Sequence, residues 1–150
     1  MEMRFHYPAR FKRDRYKDGC PAIMVAFPDL PEALTCGDDP EDAMAEAEDC
    51  PATAIAARIS EGAEIPPPSP LKRGQRLMAV PVETAAKAAL YLAVRESGMS
   101  KAELSRRLGM APMEVRRLLD PRHPTKLPRL SRALAAFGRQ IVIETRERAA

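Results

Sequence analysis

The chain has 150 residues, 45% of them apolar but only 5% aromatic and none of them tryptophan, so any core it builds must be aliphatic. No apolar run approaches the roughly 20 residues needed to cross a bilayer and the opening residues are charged, which argues against a membrane span or leader and for a cytoplasmic protein. The net charge of +3 hides a gradient: residues 1–70 carry 7 Lys and Arg against 14 Asp and Glu, residues 71–99 carry 5 against 2, and residues 100–150 carry 12 against 5. A basic end suits a polyanion, and an acidic end suits a basic partner. Cys20, Cys36 and Cys50 are odd in number and widely spaced. They fit neither a disulfide framework nor a zinc site, so free thiols and no metal or cofactor are expected.

Residues 4–13 partly alternate and read as a first strand, with Pro8 favouring an edge or a bulge. Residues 14–19 form a charged turn, and the continuous apolar run 22–27 fits a second strand buried on both faces. Pro28-Asp29-Leu30-Pro31 is a rigid corner before a short third strand over 33–37. Asp38 or Asp39 can cap a helix that begins at Pro40. That helix has seven carboxylates between Asp38 and Asp49 outside, and Met44, Ala47, Ile55 and Ile59 inside. Pro51 lacks an N–H and clashes with the carbonyl of Ala47, which predicts a kink or break near Cys50. Residues 66–70, Pro-Pro-Pro-Ser-Pro, form an extended spacer. A fourth strand over 77–82 can return to the first sheet, giving β-β-β-α-β for a domain over residues 1–82.

A second, helical domain is expected over 83–150, opening with an Ala- and Leu-rich helix at 83–96. Ser100 and Glu103 form a capping box, Leu104 and Leu108 share one face, and Gly109 leaves the helix. Pro112 suits the first position of the next helix, Val115 and Leu118 face inward, and Asp120-Pro121 stops it. This is the pattern of a DNA-binding helix-turn-helix. Met113, Arg116 and Arg117 then point outward near the start of the recognition helix, where a guanidinium can donate two bonds to a guanine edge. Lys101 would sit at a phosphate, and Pro112, Arg122 and Lys126 complete the expected DNA-binding set. The plainer alternative is a helical hairpin with a solvated basic face. A further helix over 126–137 carries Leu127, Leu130, Leu134 and Phe137 on one stripe and ends at Gly138. Residues 140–145 read as a short final strand, whose Ile141, Val142 and Ile143 must pair either with 77–80 or with a second copy. The second option gives a homodimer or higher oligomer, which suits two DNA half-sites.

These residues resemble the HicB family of type II antitoxins. The resemblance rests on the N-terminal run from Phe27 to Asp38, on Ala43 and on Ile65-Pro66-Pro67-Pro68-Ser69-Pro70. It continues in the C-terminal half through the helix-turn-helix with 119–127 and 133–138. The resemblance implies an α+β fold, with a partial ribonuclease H-like N-terminal domain that lacks the catalytic carboxylates. Two-metal nuclease chemistry needs acidic side chains on a central strand, and residues 4–13 hold none, so an active ribonuclease is disfavoured. The implied partner is a HicA toxin, a small basic ribonuclease that cleaves mRNA. The N-terminal domain would cover it and the C-terminal domain would repress the operon. On that reading the toxin meets Asp38, Asp39, Glu41, Asp42 and Glu46 together with Asp29, Leu30 and Glu32; without such a partner the acidic helix is a solvated face. The alternative function is a ligand-sensing helix-turn-helix repressor with no protein toxin. Two isolated histidines, His6 and His123, read as structural, and Ala111 stands at a cap position where such repressors usually have Ser or Thr.

Overall fold

The computed structural model describes residues 2–147, in the order β1 (His6–Arg15), β2 (Pro21–Ala26), β3 (Leu34–Gly37), α1 (Pro40–Glu61), β4 (Gln75–Ala79), α2 (Val82–Ser97), α3 (Lys101–Leu108), α4 (Pro112–Leu119) and α5 (Leu127–Ala135). It is an α+β chain with one antiparallel sheet of order β3-β2-β1-β4. The chain divides into two compact units, one holding residues up to Ala57 with Pro66–Pro81, the other Arg58–Ile65 with Val82 onward.

In the first unit β1 is a central strand, yet it carries Pro8. Pairing with β2 begins only at Arg10↔Ala26, while Pro8 pairs with Leu77 of β4. The missing N–H therefore falls where β1 has a neighbour on one side only. The pleat puts Tyr7, Ala9, Phe11, Val25 and Met78 on one face, and all but Phe11 are buried. The opposite face bears Arg10, Lys12, Met24 and Leu34, all exposed. The second strand is thus not buried on both faces as its apolar run suggested. The opposite face is only partly covered, since Pro8 and Ala22 on it are buried while Arg10, Lys12, Met24 and Leu34 are exposed.

Of the kink or break expected near Cys50, the break is absent: α1 is a single helix of 22 residues with Pro51 inside it. Pro51 lies on the same buried stripe as Ala43, Ala47, Ala54 and Ile55. Burial of that stripe offsets the lost backbone bond, worth about 3 kcal/mol in an isolated helix. Where β3 ends, Gly37 is in backbone contact with Ala43 in the first turn of α1. The proline-rich segment is tied down rather than free: Tyr7 Oη donates to the Pro66 carbonyl at 2.8 Å, and the Ser69 N–H donates to Asp29 Oδ2 at 2.9 Å.

The second unit is a helical cluster around Ala86, Leu90, Ala93, Leu118, Leu130, Ala133 and Leu134. Residues 58–65 belong to it. Tyr91 Oη and Arg95 donate to the carbonyls of Ala63 and Gly62, both at 2.7 Å. The final strand expected over 140–145 is not formed: residues 140–147 pair with no strand, and Val142 and Ile143 are 79% and 60% exposed. Nor does 77–80 receive them, since β4 pairs only with β1. Among the described residues this segment has no ladder partner, whatever its β propensity.

Candidate functional site

The α3–α4 pair is set by local chemistry. Ser100 Oγ accepts from the Glu103 N–H at 3.2 Å, while Glu103 Oε2 accepts from the Ser100 N–H at 3.0 Å. Gly109 closes α3 at φ 63°, a left-handed conformation that costs other residues about 1–2 kcal/mol. Ala111 is extended, at φ −64° and ψ 150°, and Pro112 is the first residue of α4. With no side-chain oxygen at Ala111, the start of α4 is held from the other direction. Glu114 Oε2 accepts from the Ala111 N–H at 3.1 Å, and Arg129 pairs with Glu114 Oε1 at 3.2 Å. The Ala111 N–H first, and Arg129 second, hold the Glu114 carboxyl below its usual range.

Val115 and Leu118 are buried, so α4 turns its other face to solvent. On that face Met113 is 61% exposed, and Pro112, Arg116 and Arg117 are also exposed. Lys101 stands exposed at the first position of α3, and Lys126 at the N-cap of α5. Arg122 is engaged elsewhere: its guanidinium donates to Ser60 Oγ at 3.2 Å, and its backbone N–H to Asp120 Oδ1 at 3.0 Å. The surface is therefore an eight-residue helix with two outward arginines, flanked by exposed lysines. It can donate paired hydrogen bonds to base edges and place cations at phosphates.

Three cations in this unit escaped the sequence reading. Arg129 braces Glu114, Arg107 lies 5.5 Å over the Phe137 ring, and Lys87 is buried inside the unit. Lys87 Nζ donates to the carbonyls of Arg117 and Leu118 at 2.9 and 2.8 Å and to Thr125 Oγ1 at 2.7 Å. Burial pushes its pKa down to about 8, against the opposing charge of Asp120. The available signal was its position three residues before Leu90, on the apolar stripe of α2.

In the other unit the acidic residues gather at the start of α1. Asp39 Oδ1 caps the Asp42 N–H and Asp42 Oδ2 accepts from the Asp38 N–H, both at 2.8 Å. Tyr16 Oη donates to Asp38 Oδ1 at 2.8 Å, and that bond pushes the phenol above its ordinary pKa. Glu46 Oε2 accepts from Thr35 Oγ1 at 3.3 Å, and Glu41 is exposed in the first turn. Asp29 is used internally by Ser69, Glu32 is exposed, and Leu30 is fully buried. The side chain of Leu30 is thus a core residue, and the corner turns Pro28 and Pro31 outward, with Asp29 half-buried.

The cysteines are free thiols. Among the described residues, no helix is long and apolar enough to cross a membrane.

A family model described as the HicB-like antitoxin of bacterial toxin-antitoxin systems matches residues 6–89. Antitoxin HicB 2 of Photorhabdus laumondii is 37% identical over 141 residues, covering 94% of this chain and 96% of that protein. Antitoxin HicB of Escherichia coli K12 is 36% identical over 118 residues, covering 79% of this chain and 86% of its own length. Antitoxin HicB of Pseudomonas fluorescens Pf0-1 is 34% identical over 123 residues, covering 81% and 84%.

Proposed function

The chain belongs to the HicB-like antitoxin family, and from that premise we propose that it neutralises a HicA-like ribonuclease with residues 1–82 and represses its own operon with residues 83–150. The N-terminal domain is taken to be a partial ribonuclease H-like fold that acts by covering the enzyme rather than by catalysis. Its contact surface is the acidic start of α1, with Asp38, Asp39, Glu41, Asp42 and Glu46, joined by Asp29 and Glu32 of the corner. Charge matching with a basic toxin would mainly speed association and exclude wrong partners.

The second role assigns α3 and α4 as a helix-turn-helix, with α4 in the major groove and Arg116 and Arg117 at base edges. Lys101 and Lys126 serve as phosphate contacts. Ile141, Val142 and Ile143, exposed or half-buried here, would pair with the same segment of a second copy to give a dimer reading two half-sites. The observation that carries the proposal is the joint presence, in one chain, of the family module over 6–89 and a short helix that turns two arginines to solvent.

Co-expression with a small basic reading frame found beside its gene tests it, followed by a gel shift on the upstream DNA; the absence of such a frame favours the repressor without a toxin. Co-purification with loss of ribonuclease activity, plus a shifted band, is the expected result. A folded chain that leaves the neighbouring product active overturns the first role, and an unshifted duplex overturns the second. A repressor answering a small ligand, with no protein toxin, would shift the band but fail to co-purify.

A further inference from the structure

Among the described residues, Lys87 is the one charged side chain that is buried. An ammonium has three donors and no acceptor, and all three donors are used, on Arg117 O, Leu118 O and Thr125 Oγ1. The two carbonyls belong to the last turn of α4, where backbone acceptors have no partner within the helix. A cation there also meets the negative end of the helix dipole. We propose that Lys87 is a positioning residue for DNA recognition: by gripping the C-terminal carbonyls of α4 it sets the depth and rotation at which Arg116 and Arg117 are offered to a duplex. This rests on the reading of α4 as the recognition helix.

Helix α4 cannot supply this placement itself. Eight residues are about two turns, too short to be stable in isolation, and its N-cap, Ala111, has no side-chain acceptor. Among the described residues, its side-chain tethers to other elements outside the apolar core are the Glu114–Arg129 pair, about half exposed at both ends, and the buried Lys87. Exposed pairs hold geometry weakly. Arg117 links the two roles directly, since its carbonyl is gripped by Lys87 while its side chain faces outward. Asp120 favours the charged form of Lys87, and Glu83, Arg122 and His123 line a cavity of about 130 Å³ together with it.

The test uses the full chain and two duplexes of equal length, one from upstream of its own coding region and one unrelated. Lys87→Met keeps an unbranched stem but cannot donate. The variant is expected to lose about tenfold in affinity for the upstream duplex. Affinity for the unrelated one holds, because phosphate contacts do not need exact placement of the base-reading side chains. Thr125→Val removes one acceptor and is expected to lose preference in the same direction by less; it also serves if Lys87→Met does not fold.

A pH series separates positioning from mere support. Between about pH 7 and 9 the wild-type preference falls as the ammonium loses its proton, and that of Lys87→Met stays flat. Stability moves the other way: with the folded pKa near 8 and the unfolded one near 10.5, the unfolded state holds more protons. The stability of the wild type relative to Lys87→Met therefore rises across that window. Folded variants that keep the full preference overturn the proposal, as does a loss shared equally by both duplexes. A wild type with no preference overturns the reading of α4 itself, and the role of Lys87 with it.

Discussion

The backbone of Gly37 lies so close to that of Ala43 that a Cβ on Gly37 would sit 2.2 Å from the Ala43 nitrogen. Neither atom belongs to a flexible side chain, so the end of β3 and the first turn of α1 would have to separate. Gly37→Ala is expected to cost about 1–3 kcal/mol or more, read as a lower urea midpoint. If the acidic start of α1 is the toxin contact proposed above, the same variant should inhibit that toxin less well at temperatures where it remains folded.

Arg116→Ala and Arg117→Ala are each expected to weaken binding to the upstream duplex by about 1–3 kcal/mol if they read bases, with toxin inhibition unchanged. Titrations at several salt concentrations check this alongside the wild type, whose affinity should fall steeply with salt as phosphate contacts release counterions. Affinity unchanged from the wild type in both variants would remove α4 from the interface, and a flat salt response would count against direct DNA contact.

Ala111 already has the extended backbone of a capping residue but lacks the oxygen. Ala111→Ser would complete the box begun by Glu114 and should raise stability by about 1 kcal/mol. Thermal and urea unfolding measure it, and no gain would mean that the serine hydroxyl does not reach the Glu114 N–H.

The lowered pKa of Glu114 makes a directional statement about acid. A carboxyl held down in the folded state adds stability that is present above its unfolded value of about 4.5 and is lost as pH falls through the folded one. Glu114→Gln should therefore be less stable than the wild type near neutral pH, and the difference should shrink as pH falls through the lowered folded value. Urea midpoints across that range report it.

Much of the helical unit is legible from sequence because its signals are local. Ser100 with Glu103, Gly109 and Pro112 act within a turn or two of themselves, and the 3.6-residue period alone puts Val115 and Leu118 inside and Arg116 and Arg117 outside. The first three strands are legible to within two residues, since alternation and turn residues mark them, whereas the expected 77–82 runs three residues past the end of β4. What depended on distant groups was not legible. Pro51 stays in a helix because a buried stripe compensates for it, and Met24 is exposed although Ala22, on the same face of β2, is buried. Residues 140–145 have β propensity but no strand beside them among the described residues. Lys87 reads as one more cation in a helix until folding brings three acceptors, 30 to 38 residues away, around its ammonium. Short-range sterics and hydrogen bonding can be read along the chain, whereas burial and the partners it demands exist only once remote segments have met.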